Sequence, residues 1–149
     1  MTSFKDKLRR FMPIAEAFAN MSKDPSTKVG ALVLGPEFEV RAQGWNGAPR
    51  RCSADTDERY ATREEKLWWA AHAEENAIAN AARSGASTNG CSLVVTHAPC
   101  MRCARLIVQS GIMTVLCPKP EEAFMARWSE DVQRSQQLFR ECSVRLIWL

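Results

Sequence analysis

Two short segments carry most of the side chains able to do chemistry: His72-Ala73-Glu74 and Pro99-Cys100-Met101-Arg102-Cys103. Cys100 and Cys103 are three residues apart, so on a helix both project from one face. Pro99 suits the entrance of that helix, where its missing N–H costs nothing. Both sulfurs then sit in the first turn, where the positive end of the helix dipole favours thiolate over thiol. Two thiolates and one imidazole, from His72, form a soft donor set suited to zinc. A structural zinc site is closed by four protein ligands, whereas three leave a position for water. The chain has only two histidines, and His97 lies too close to Cys100 along the chain to be an obvious fourth ligand. Zinc lowers the pKa of a bound water from about 15.7 toward roughly 7. Glu74, at the start of the helix that follows His72, is placed to take that water's proton and return it elsewhere on a substrate. That is the chemistry of hydrolytic deamination.

The 149 residues, 46% of them hydrophobic, allow a single domain (1–149) with a real core. A net charge of +3 is far from the strongly basic face of a polynucleotide binder, so no polynucleotide partner is expected. It argues neither for nor against a phosphate-bearing small molecule. The apolar runs are only a few residues long, which excludes a bilayer span. Residues Met1 to Arg10 are charged and lack an apolar signal core, so the expected location is the cytosol, of a bacterium or of a phage-infected host. There the six cysteines are not expected to form three disulfides. Cys-x-x-Cys in such a chain is a redox pair or a pair of metal ligands. The other four, Cys52, Cys91, Cys117 and Cys142, read as small buried hydrophobes.

The elements that must position these residues follow from periodicity. Phe4 to Met21 is helical, with Pro13 kinking or dividing it. Val29–Leu34 and Val40–Trp45 read as a hairpin about the Gly35-Pro36-Glu37 turn. A loop over 46–57 leads into one long helix or two shorter ones between Glu58 and Arg83, ended by Ser84-Gly85. Strands at Leu93–Thr96, Ile112–Cys117 and Val144–Leu149 alternate with helices from Pro99 to Ser110 and from Glu121 to Glu141. The order α-β-β-α-β-α-β-α-β predicts a three-layer α/β/α domain around a five-stranded mixed sheet.

His-x-Glu followed by Pro-Cys-x-x-Cys is the signature of zinc-dependent nucleobase deaminases. The likeness extends to Asp24-Pro25-Ser26-Thr27-Lys28-Val29-Gly30, Gly44-Trp45-Asn46-Gly47-Ala48-Pro49, His72-Ala73-Glu74-Glu75-Asn76-Ala77-Ile78 and Gln109-Ser110-Gly111-Ile112. Over roughly residues 11 to 117 the chain resembles the deoxycytidylate (dCMP) deaminases, members of the cytidine deaminase-like superfamily. The resemblance implies that fold, and hydrolysis of dCMP to dUMP and ammonia. It implies Zn2+ held by His72, Cys100 and Cys103, with hydroxide attacking C4 of cytosine while Glu74 protonates N3 and then the departing amine. It places Asn46 near the nucleotide's sugar and Ala73, between ligand and shuttle, among the substrate contacts. Lys28 is a phosphate candidate by its charge and its place before the first strand. A homo-oligomer, often a hexamer, and regulation by dCTP and dTTP are also implied.

The chain departs from that pattern in two places. Where these deaminases read Asn-Gly-x-Pro-x-Gly, it has Asn46-Gly47-Ala48-Pro49-Arg50-Arg51, and arginine takes positive φ less freely than glycine. The loop also takes part in binding the regulatory triphosphate in the family, so Arg50 and Arg51 are read as either a phosphate grip or a solvated charge pair. His97 stands where relatives put an apolar or aromatic residue against the base. It reads either as a substrate contact altering base choice or as a strand-end histidine satisfied by backbone. Trp68, Trp69 and Asn76 are expected to pack helices, residues 127–140 to form a solvated helix face with an apolar stripe, and Asp55, Asp57 and Glu58 a solvated loop. Competing functions are deamination of dCTP, 5-substituted dCMP, a free base, a pterin precursor or tRNA adenosine, and a non-catalytic zinc module. The chain lacks the basic patch and interleaved aromatics that grip a strand.

Overall fold

Pro13 divides the amino-terminal helical tract. α1 (Phe4–Arg9) and α2 (Met12–Ala19) are separate helices, with Pro13 in the first turn of α2, where no intrahelical N–H is needed. The computed structural model describes residues 1–53 and 55–149, with the side chains of residues 124, 127 and 128 excepted. β1 (Gly30–Leu34) and β2 (Val40–Trp45) form the expected antiparallel hairpin. β3 (Ser92–Val95), β4 (Thr114–Cys117) and β5 (Arg145–Trp148) follow within two residues of their expected bounds. The strand order is β2-β1-β3-β4-β5, with β1 antiparallel to β3 and parallel pairing from β3 to β5.

Helices cover both faces. Leu8, Met12 and Ala15 of α1 and α2 pack on Leu32, Leu34, Val94, Leu116 and Ile147. The opposite face of the sheet (Ala31, Val33, Leu93, Val95, Val115) carries α4 (Ala73–Ser84), α5 (Met101–Gln109) and α6 (Glu122–Glu141). β3, β4 and β5 step across the sheet in one direction, so right-handed crossovers put α5 and α6 on the same side. Two glycines let backbones approach closely. A Cβ at Gly30 would collide with the backbone of Ala15 in α2, and one at Gly44 with the backbone of Ala73 and Ala77 in α4. Gly44 thus seats the start of α4 against β2.

The 58–83 tract breaks into a 3-10 turn (Asp57–Tyr60), α3 (Arg63–Trp69) and α4. Trp68 and Trp69 do not pack helices as expected: they are 77% and 44% exposed, and α3 has no buried residue. Periodicity cannot say what a helix faces, and α3 is fastened by polar contacts instead. The Arg59 guanidinium of the preceding turn lies 3.6 Å above the Trp69 ring, whose Nε1 donates within the helix to Glu65 at 2.9 Å, and Lys66 reaches Asp24. Asp55 is not simply solvated, since Lys23 pairs with it at 2.7 Å and the Tyr60 hydroxyl donates to it at 2.9 Å. All six cysteines are free thiols; Cys91 and Cys117 are buried, but Cys52 is half-buried and Cys142 exposed, because their loop and helix-end positions lack a covering layer. Asn76 ties α4 to the end of β2 through Trp45 O at 2.7 Å. The described part of 127–140 has the expected buried stripe, Val132, Ser135 and Phe139; Arg127 lies outside the described side chains. Among the described residues, no helix is long and apolar enough to cross a membrane.

Candidate active site

The first turns of α4 and α5 converge at the carboxyl end of β3, the edge where open α/β sheets place their ligands. His72 immediately precedes α4 and Cys100 precedes α5, both with extended backbone. Their side chains meet: His72 Nδ1 lies 3.5 Å from Cys100 Sγ and 3.3 Å from Cys103 Sγ. Among the described residues, these three have donor atoms within 4.8 Å of one another and no fourth His, Cys, Asp or Glu joins them. Zinc bonds of about 2.3 Å to sulfur and 2.0–2.1 Å to nitrogen give a tetrahedral N···S edge of about 3.5 Å. The donor set and its spacing therefore fit zinc, with one corner free of protein.

Electrostatics agree with that fit. The Cys100 thiol is pulled down to about 4, first by its hydrogen bond with Cys103, then against burial by His72 and the backbone. The Cys103 thiol is held high, because a second ionisation beside Cys100 in a buried place is disfavoured. Its Cys100 contact raises the His72 imidazole. Glu74, in the first turn of α4, is 4% exposed, and burial raises its carboxyl to about 7 against the lowering effect of backbone N–H groups and His72. Ala73, between His72 and Glu74, is fully buried in that same turn.

The other expected contacts fall around this centre. Gly47 and Ala71 exchange backbone hydrogen bonds of 3.0 and 2.9 Å, which sets Asn46 beside the approach to His72. The Asn46 side chain is buried and engaged: Oδ1 accepts from Val29 N–H at 2.8 Å, and Nδ2 donates to Thr27 O at 2.8 Å and toward Asp24 at 3.5 Å. It holds the 24–29 loop in place. Lys28 lies on that loop, exposed, and His97 is exposed just past β3. Arg50 reaches Asn80 of α4 at 2.5 Å, while Arg51 adopts φ +63°, a left-handed conformation that glycine takes more freely.

Sequence reasoning missed Lys66. Its ammonium, from α3, contacts Asp24 at 3.1 and 3.2 Å and Ser26 Oγ at 2.6 Å. The two side chains are 19% and 5% exposed. Burial would raise Asp24, but N–H donation from Ser26 and Thr27 and the Lys66 ammonium bring it below its ordinary value. No periodicity links positions 24 and 66, so only the assembled fold reveals the pair. Glu75 and Arg102 were likewise unmarked. Arg102 forms a two-pronged pair with Glu75, 2.7 Å on each prong.

Three inward-facing donors, a buried acid beside them and a three-layer sheet define a zinc-type hydrolytic centre. Residues 5–119 match the family described as cytidine and deoxycytidylate deaminase zinc-binding region, and the chain belongs to it. It is 45% identical over 143 residues to an uncharacterized deaminase of the luxG 3' region of Aliivibrio fischeri, covering 95% of this chain and 92% of that one. It is 42% identical over 110 residues to the deoxycytidylate deaminase of Mus musculus, covering 71% of this chain and 61% of the mouse enzyme. Two crystal structures of dCMP deaminase from the cyanophage S-TIM5 share the fold. The apo form gives a TM-score of 0.74 at 25% identity, covering 97% of this chain and 98% of that one. The form in complex with dCMP and dUMP gives 0.76 at 24% identity over the whole of both chains.

Proposed function

We propose that the chain deaminates free deoxycytidine nucleotides, converting dCMP and water to dUMP and ammonia in the cytosol. The observation that carries this reading is the buried Glu74 set beside three metal donors that leave one tetrahedral corner open. The choice of dCMP is supported by the likeness to the mouse deoxycytidylate deaminase and to the phage enzyme whose structure holds dCMP and dUMP. When held by His72, Cys100 and Cys103, zinc supplies the Lewis acidity that makes a water nucleophilic at neutral pH. Glu74 takes one proton of the water on its carboxylate and gives it to cytosine N3; it then takes the remaining proton from the oxygen now on C4 and delivers it to the 4-amino group as the C4–N bond breaks. The water oxygen ends on C4 and ammonia departs. Burial of Glu74 keeps this proton from bulk solvent.

Ala73, buried in the first turn of α4, contributes to binding of the base from behind, by seating that turn against the core. Asn46 places the sugar, acting through the 24–29 loop that it fixes, and Lys28 on that loop contacts the phosphate. His97, at the end of β3, faces the base edge and biases which C5 substituent is accepted. We also propose a homo-oligomer, a hexamer, with the exposed Leu67, Trp68 and Trp69 of α3 covered in it, and dCTP and dTTP as effectors.

The test is ammonia release by zinc-loaded protein from dCMP, dCTP, deoxycytidine, cytosine, guanine and an adenosine-bearing tRNA stem-loop, repeated with dCTP and dTTP added. The expected result is the highest kcat/KM with dCMP, a raised KM in Lys28→Ala for dCMP but not for deoxycytidine, and altered preference among 5-substituted dCMPs in His97→Leu. Preference for the stem-loop, or no turnover of any cytosine compound, would overturn the reading. Light scattering of wild type and Trp68→Glu reports the assembly.

A further inference from the structure

The two helices that carry the metal donors are tied to each other by a pair of side chains that are neither donors nor acids of the reaction. Glu75 lies in the first turn of α4, and Arg102 lies between the two cysteines, in the first turn of α5. Glu75 Oε1 accepts from Arg102 Nε at 2.7 Å, and Oε2 accepts from Arg102 Nη2 at 2.7 Å. The same Oε2 also accepts the His72 backbone N–H at 2.7 Å. One carboxylate thus fixes the residue bearing the imidazole donor and the turn bearing both sulfur donors. From the far side, Asp131 of α6 accepts the Met101 N–H at 3.2 Å with either oxygen, so the start of α5 is held on two flanks.

We infer that Glu75 and Arg102 form a positioning clamp that sets the spacing of the α4 and α5 first turns, and so sets how tightly His72, Cys100 and Cys103 hold zinc. The inference rests on the reading of that trio as the zinc site. A surface ion pair ordinarily contributes little to folding, and Arg102 is 51% exposed. The clamp's effect therefore falls on ligand geometry more than on global stability. The guanidinium fork matches a carboxylate with two parallel bonds, a geometry lysine cannot reproduce. Groups that orient metal ligands without touching the metal typically change affinity by about 10- to 100-fold.

The experiment compares wild type, Glu75→Gln, Arg102→Met, Arg102→Lys and the Glu75→Gln/Arg102→Met double variant. Zinc affinity is read by competition with a chromophoric chelator, and thermal midpoints are read on the metal-free proteins. The expected result is a zinc Kd raised about 10- to 100-fold in each single variant, a double variant no weaker than the weaker single, and metal-free midpoints close to wild type. Arg102→Lys is expected to lose affinity as well, because the second prong is gone. Zinc affinity unchanged in Arg102→Met and Arg102→Lys would overturn the clamp. So would additive losses in the double variant, which would reduce Glu75 to a helix cap acting alone. Failure of wild type to bind zinc would instead overturn the reading of the site itself, so the two failures are distinguishable.

Discussion

Replacing Lys66 with methionine keeps the length of the side chain and removes its charge from Asp24 and Ser26. Breaking a fully buried ion pair from one side costs about 3–5 kcal/mol. Here Asp24 retains the Ser26 and Thr27 N–H groups and the Ser26 hydroxyl, and Lys66 keeps some contact with solvent. About 2 kcal/mol is the expected loss, after that discount. For a chain of this size it lowers the thermal midpoint by about 4–8 °C. The loop that loses its tether also carries Thr27, Lys28 and Val29, two of whose backbone groups hold Asn46. KM for dCMP is therefore expected to rise more than kcat falls. The pH dependence has a definite sign. Asp24 titrates below its ordinary 3.8 in the folded state, so its paired contribution is complete above that value and is lost as pH falls through the lower folded value. The stability gap between wild type and Lys66→Met should be constant across neutral pH and close in strong acid. Urea titrations of wild type, Lys66→Met, Asp24→Asn and the double variant, with steady-state kinetics on each, measure all of this. A Lys66→Met unfolding free energy within about 0.5 kcal/mol of wild type, with KM unchanged, would refute the assignment of Lys66 as the loop's anchor.

Glu74→Gln should lower kcat/KM by about 10²- to 10⁴-fold while zinc content by metal analysis stays at wild-type stoichiometry, because Glu74 is outside the donor trio. Gly44→Ala places a methyl against the backbone of Ala73 and Ala77; a loss of about 1–3 kcal/mol and a fall in kcat are expected in denaturation and turnover assays. Arg51→Gly relieves a left-handed arginine and should stabilise by up to about 1 kcal/mol, read as a higher urea midpoint. Removing zinc with a chelator should abolish turnover and lower the thermal midpoint, and zinc should restore both, because metal binding is coupled to folding.

Much of the centre was legible because its parts are local. Cys100 and Cys103 share a helix face by spacing alone, and Pro99 marks where that helix begins. β1, β3 and β4 announced themselves as apolar runs, and both helical crossovers followed from alternation. What periodicity could not convey was the environment of each helix. Residues 63–69 have good helix formers and three large apolar side chains, yet α3 meets the body through Lys66 and leaves Trp68 in solvent. Asp55 and Asp24 look alike as loop acids, and only the folded chain shows that Lys23 and Lys66 reach them. Arg51 sits where glycine was expected and keeps the glycine-like backbone, so the loop's shape survives a side chain that resists it.

β3 occupies the middle of the sheet, and the donors arrive from either side of it, His72 on the helix before and the cysteines on the helix after. They can meet only once that strand has slid between β1 and β4. Pairing of β3 and closure of the centre are thus coupled, as metal binding and folding are in general. Metal capture then locks the central strand in place, so demetallation should be felt first as loosened hydrogen-exchange protection along β3, deep inside the domain and not at its rim.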